Sequence, residues 1–137
     1  MADCVEKMGV SIERGKENWV IHGGREFLVP PKGMLDCGNS ATAAKILSFI
    51  VACFDSPVVI DGDSSLRKRD FIQLTKTLVD LGCEVSSDKL PFEIIGPISG
   101  GRTSIDESVS SQIVTGIILA SAGIEKQIEI SLFGDAV

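Results

Sequence analysis

The chain repeats itself at two closely similar offsets. Shifting its first part by 73 residues lays Gly9, Val10, Ile12, Trp19, Ile21 and Gly23 over Gly82, Cys83, Val85, Phe92, Ile94 and Gly96. Each set reads as a strand with alternating apolar residues, a polar turn and a second strand closed by glycine. A shift of 70 residues then lays Leu35, Asp36, Ser40, Ile50, Val58 and Ile60 over Ile105, Asp106, Ser110, Ala120, Ile128 and Ile130. This block reads as a strand, a small polar cap, an apolar helix and another strand. Such self-similarity implies an array of units of roughly 70 residues, each burying its apolar face against its neighbours.

One unit can be followed completely. A strand ends near Asp36, a helix runs from about Ser40 to about Cys53, and the strand "PVVID" leads into the turn "GDSS". A second helix, expected from about Arg69 to Leu81, sets Phe71, Leu74, Leu78 and Leu81 on one face and Gln73, Lys76, Thr77 and Asp80 on the other. Gly82 suits its C-terminal cap, and a hairpin from Cys83 to Ile95 closes the unit. The fold class is therefore α/β (α+β), built from β-α-β-α-β-β units. The helix around Lys45 to Phe54 is apolar nearly all round and is expected to be central, whereas the second helix is expected to face solvent. Residues 1–137 read as a single partial domain, with 1–33 the tail of one repeat, 34–98 a complete repeat and 101–137 the head of the next. That division predicts a segment of a longer protein.

Composition narrows the function. A chain of 137 residues, 44% hydrophobic and 23% charged, has the makeup of a globular protein with one core. Its apolar runs fall short of the ~18 residues of a membrane span, and "MADCVEKMGV" lacks a signal pattern. A soluble cytoplasmic chain with no membrane partner is expected. The net charge of −6 and the absence of Tyr argue against nucleic-acid binding, which needs a basic face and stacking rings. Four scattered cysteines (Cys4, Cys37, Cys53, Cys83) and the one histidine, His22, offer no clustered metal ligands, so reduced thiols and neither metal nor cofactor are expected.

Three stretches suit an anion. "DCGNSATAAK" places Asn39, Ser40 and Thr42 at a helix N-terminus, where free N–H groups and the helix dipole favour negative charge. "SLRKRDF" sets Arg67, Lys68 and Arg69 at or just before an expected helix start, a basic triplet that opposes the dipole unless an anion relieves it. "SVSSQ", Ser108 to Gln112, offers three hydroxyls and an amide at the start of the other buried helix. Each also has a plain reading, as a helix cap or a solvated charge run. The repeat makes Ser40 and Ser110 equivalent, so two helix N-termini are expected to converge on one ligand.

Taken together, "LDCGNSATAAKIL", "DGDSSLRKRDFIQLTKTLVDLGCEV" and "SVSSQIVTGIILA" resemble, in this order, three motifs of the 5-enolpyruvylshikimate-3-phosphate (EPSP) synthase family, the 3-phosphoshikimate 1-carboxyvinyltransferases. The resemblance covers nearly the whole chain. It implies an incomplete enolpyruvyl transferase inverse α/β barrel of β-α-β-α-β-β repeats. It also implies transfer of the enolpyruvyl group of phosphoenolpyruvate to shikimate 3-phosphate, in the shikimate pathway of aromatic amino acid biosynthesis. Carried over by position, Ala41, Arg69 and Gln112 would meet phosphoenolpyruvate, and Ser110, Ser111 and Gln112 would meet shikimate 3-phosphate, with Asn39, Thr42 and Lys45 in support. The family's other partner would be the C-terminal domain of the same enzyme.

Three positions depart from that pattern: Ala41 stands where the family has glycine, Lys45 where it has arginine and Asp70 where it has proline. Lys45 keeps the charge but loses a planar bidentate fork. No residue of this chain is a strong general acid or base candidate, so turnover by the 137 residues alone is not expected. Two alternatives share the fold. One is a relative of UDP-N-acetylglucosamine enolpyruvyl transferase, disfavoured because Ser64 and Ser65 occupy the loop where that enzyme has a cysteine. The other is a non-catalytic anion-binding module.

Overall fold

The computed structural model describes residues 1–24, 26, 28–106, 108 and 111–134. A short helix α1 (Ala2–Lys7) precedes the antiparallel strands β1 (Ser11–Arg14) and β2 (Trp19–His22). Strand β3 (Leu35–Asp36), helix α2 (Ala41–Val51) and strand β4 (Val58–Asp61) follow. A 3₁₀ turn (Leu66–Lys68) leads to helix α3 (Ile72–Asp80) and the hairpin β5 (Glu84–Val85) and β6 (Phe92–Ile95). The last segment comprises strand β7 (Gly101–Asp106), helix α4 (Ser111–Ala120) and strand β8 (Ile128–Phe133).

Among the described residues, β3-β4-β6-β5 form one sheet in that order, and β1-β2 and β7-β8 form two-stranded ladders. β3 and β4 are parallel neighbours joined through α2, and β7 and β8 are parallel neighbours joined through α4. Parallel neighbours need a crossover of this kind, which explains the apolar helix between each pair.

The internal offsets reappear as geometry. Ile12 faces Ile21 across β1-β2, and Val85 faces Ile94 across β5-β6, the same pair moved by 73 residues. Gly9 and Gly82, also equivalent, both follow a helix and hold φ of 98° and 93°, the left-handed conformation that ends a helix cheaply only at glycine. The 70-residue offset carries the start of α2 at Ala41 onto that of α4 at Ser111. It does not carry the strand register. Leu35 faces Ile60, whereas Ile105 faces Leu132, a slip of two residues in the second copy. Because side chains alternate with period two, this slip keeps every residue on its own face.

α2 is the centre of the core. Ala41, Ala43, Ala44 and Leu47 favour helix intrinsically, and Ala43, Ala44, Leu47, Phe49 and Val51 are buried. Ser48, also buried, satisfies its hydroxyl by donating to Ala44 O at 2.7 Å. α4 lies against α2 so closely that a Cβ added at Gly116 would sit 2.4 Å from Phe49 Cδ2.

α3 differs from the expected one-sided helix in two respects. It begins at Ile72, with Arg69 outside it in extended conformation (φ −79°, ψ 149°). Phe71, packed edge-on against Phe92 with ring centroids 5.7 Å apart, fixes where the helix enters. Its second flank is also covered, because β7 packs there. Thr77 is fully buried and donates to Gln73 O at 2.7 Å, while Gln73 Nε2 donates to Ser104 O at 3.1 Å. Lys76 and Asp80 face solvent as expected, and Ile72 and Val79 are exposed with them.

Gly116→Ala is expected to destabilise the chain by about 1–3 kcal/mol through overpacking against Phe49. Urea unfolding of the two proteins measures this, and an unchanged midpoint would show that the seam between α2 and α4 is looser than the structure has it.

Candidate functional site

The expected site lies where strands hand over to helices. At the end of β3, Asp36 Oδ1 accepts a hydrogen bond from Gly38 N at 2.8 Å, an aspartate bonding its own backbone two residues on. Ser40 then caps α2, its hydroxyl accepting from Ala43 N at 3.1 Å, as its place before the helix predicts. The second copy repeats the turn: Asp106 Oδ1 accepts from Ser108 N at 3.0 Å and from the Ser108 hydroxyl at 2.5 Å. Asp36 and Asp106 were not among the expected site residues. Their signal in the sequence was an aspartate at the end of the equivalent strand in both copies.

The N-terminal turns of α2 and α4 stand level. Gln112 Nε2 donates to Thr42 Oγ1 at 2.7 Å, and these are equivalent positions of the two copies. Ala41 is half-buried, and Asn39 and Ser111 are exposed beside these turns. Ser110 lies outside the described residues, so its place in the site is left to the register alone.

The basic stretch divides. Arg67 points back to the strand: its Nε and Nη2 donate to the two carboxylate oxygens of Asp61 at 2.9 and 2.6 Å, a bidentate fork. Arg69 is exposed, with no ion-pair partner among the described residues, and acts electrostatically on Lys45 of α2. Burial pushes the Lys45 ammonium below the usual lysine value, Arg69 pushes it further down and Asp70 opposes both. The dipole argument for the triplet therefore falls. Residues 67–69 precede α3 by a 3₁₀ turn and an extended link, so the structure brings Arg69 and Lys45 together while Arg67 serves Asp61.

The loop before α2 and the loop that carries Arg67 and Arg69 are laced together. Cys37 N donates to Asp61 O and Asp63 N donates to Gly38 O, each at 2.9 Å. The contact is tight enough that a Cβ at Gly62 would lie 2.6 Å from Gly38 O.

Other features lie elsewhere. An apolar cavity of about 470 Å³ is lined by Ile50, Cys53, Phe54, Leu119 and Ala120, at the opposite ends of α2 and α4 from Thr42 and Gln112. Burial pushes the Cys37 thiol up to about 12 and that of Cys83 up to about 11, which makes both poor nucleophiles at neutral pH. Among the described residues no group of three or more His, Cys, Asp or Glu side chains could hold a metal ion. No helix there is long and apolar enough to cross a membrane.

Paired β-α-β units with level helix N-termini, edged by one cation on α2 and one on a neighbouring loop, define a repeat-built α/β protein of the enolpyruvyl transferase type. Residues 1–136 match the family model described as EPSP synthase (3-phosphoshikimate 1-carboxyvinyltransferase). A 3-phosphoshikimate 1-carboxyvinyltransferase of Rhizobium etli is 34% identical over 139 residues, covering 98% of this chain and 33% of that protein. One of Methanosarcina acetivorans is 34% identical over 133 residues, covering 94% of this chain and 31% of its own. The EPSP synthase of Acinetobacter baumannii superposes with a TM-score of 0.75 at 32% identity, covering 87% of this chain and 28% of that one. The chain belongs to the EPSP synthase family, and it spans about a third of the length of the curated relatives it matches.

The charge pairs make stability depend on pH. The Arg67 fork holds the Asp61 carboxyl below the usual carboxylate range against the opposing effect of its burial. Lys76, with Thr103 helping, does the same for Asp80. Both native values are depressed, so the unfolded chain takes up protons first. Their stabilisation is full above the ordinary value of about 4 and is lost as pH falls through the native values. Urea midpoints measured between about pH 5 and pH 2 should fall with pH, and less steeply in Asp80→Asn. An equal slope in that variant would remove Asp80 from the account.

Proposed function

We propose that this chain is the part of an EPSP synthase that holds the anionic ends of two substrates while the rest of the enzyme supplies the acid-base chemistry. The reaction would move the enolpyruvyl group of phosphoenolpyruvate to shikimate 3-phosphate and release phosphate. The observation that carries the reading is the Gln112–Thr42 hydrogen bond between equivalent turns of α2 and α4, beside the cations Lys45 and Arg69. Two cations brought together at a partly desolvated place raise each other's energy, and a bound anion reverses that cost.

In this reading Arg69 and Lys45 take the carboxylate and phosphate charge of phosphoenolpyruvate, with Ala41 at close approach and Gln112 between the two substrates. Ser110 and Ser111 take the phosphate of shikimate 3-phosphate, and Asn39 and Thr42 support the turn. A C-terminal domain of the same enzyme closes the site and contributes the groups that move protons. Residues 1–33, 34–98 and 101–137 are the tail, whole and head of successive repeats. Cytoplasmic operation, without metal or cofactor, belongs to the same proposal.

Calorimetric titration of the chain with phosphoenolpyruvate and with shikimate 3-phosphate tests the reading. Binding in the millimolar range is expected, about 4 kcal/mol. Arg69→Ala should weaken phosphoenolpyruvate at least tenfold, about 1.4 kcal/mol, and leave shikimate 3-phosphate nearly unchanged. Equal phosphoenolpyruvate affinity in the variant would sink the assignment of Arg69. Phosphate release by the isolated chain should be undetectable with both substrates present, and measurable turnover would overturn the division of labour.

A further inference from the structure

The segment from Gly62 to Asp70 must present Arg69 toward α2, yet beyond Gly62 at its start only Leu66 within it is buried. A single apolar anchor leaves a loop free to pivot about it. Four hydrogen bonds oppose that pivot. Asp63 Oδ1 accepts from Ser65 N and Leu66 N at 2.9 and 2.8 Å, Asp63 O accepts from Arg67 N at 3.0 Å, and Leu66 O accepts from Arg69 N at 3.1 Å. These tie the loop to itself. The fork from Arg67 ties it to the sheet, because Asp61 ends β4, which β3 and β6 flank on either side.

Two features make this fork a rigid reference. The Asp61 side chain is 5% exposed, so its position is set by the packed strand rather than by solvent. A planar guanidinium bonding both oxygens also fixes orientation as well as distance, which a lysine could not do. Asp61 O in addition accepts from Cys37 N, so the same residue holds the loop before α2. Both halves of the cation pair thus refer to one residue.

We infer that Asp61 and Arg67 are positioning residues that hold Arg69 in place beside Lys45 for the anionic substrate, without touching that substrate themselves. The role assigned to Arg69 rests on the proposed function. The fork itself does not.

Two measurements separate this from a merely stabilising ion pair. In backbone amide hydrogen exchange, Asp61→Asn and the milder Arg67→Gln should each speed exchange at Arg67 and Arg69 by tenfold or more relative to Leu47 in α2. Equal acceleration at all three amides, or none at Arg69, would overturn the inference. In titrations with phosphoenolpyruvate, Asp61→Asn removes a negative charge near an anion site, so the field alone predicts tighter binding. Positioning predicts binding weaker by about tenfold, and the double variant should be no weaker than either single one. Tighter binding by Asp61→Asn, or additive losses in the double variant, would overturn the inference, the latter because it would place Arg67 on the ligand. If the unaltered chain binds no phosphoenolpyruvate while the local exchange effect is present, the substrate reading fails and the loop assignment stands.

Discussion

The close approach of α2 and α4 is the contact on which the rest of the structure depends. Phe49 fills the space that Gly116 leaves, and no larger residue fits at that point without displacement. Full burial of a phenylalanine contributes about 1.5–3 kcal/mol, but the geometric consequence is larger. With the two helix axes brought together there, equivalent turns stand side by side and Gln112 reaches Thr42. Each helix is also the crossover between two parallel strands, so fixing the helices fixes the ends of β3, β4, β7 and β8.

The candidate site is made from those ends. Asp36 and Asp106 turn the chain from strand to helix in the same way in both copies, through a carboxylate bonded to the backbone two residues on. Repetition thus supplies two similar helix N-termini, and the basic loop after β4 supplies the charge, with the buried Asp61 holding the Arg67 fork. The chain has net charge −6, yet Arg69 acts on Lys45 against the opposing charge of Asp70, while two nearby acidic groups are engaged elsewhere. Asp61 meets Arg67, and Asp63 caps the 3₁₀ turn.

Much of this was legible in the residues. The offset of 73 anticipated the Ile12–Ile21 and Val85–Ile94 pairs, since alternation of apolar residues and the flanking glycines are local signals. Ser40 announced its cap by type and place. The start of α3 was misread, because nothing in "SLRKRDF" separates a 3₁₀ turn and an extended link from the first turn of a helix. Thr77 looked like a solvent residue because polarity marks a face only when no other element covers it, and β7 does. The grouping of Arg67 with Arg69 failed for a related reason. Adjacent charges look alike in sequence, and only the fold brings Asp61 to one of them.

The sequence by itself determined the β-α-β-α-β-β order, the equivalence of Ser40 with Ser110, and the family. All of these follow from periodicity and motif, which are properties of neighbours along the chain. The tertiary structure decided the two-residue slip between β3-β4 and β7-β8, the burial of Thr77, and the partition of the basic stretch into an arginine forked onto Asp61 and one with no ion-pair partner among the described residues. Those depend on which distant segment arrives at a given surface, and desolvation and bidentate geometry act only once it has arrived.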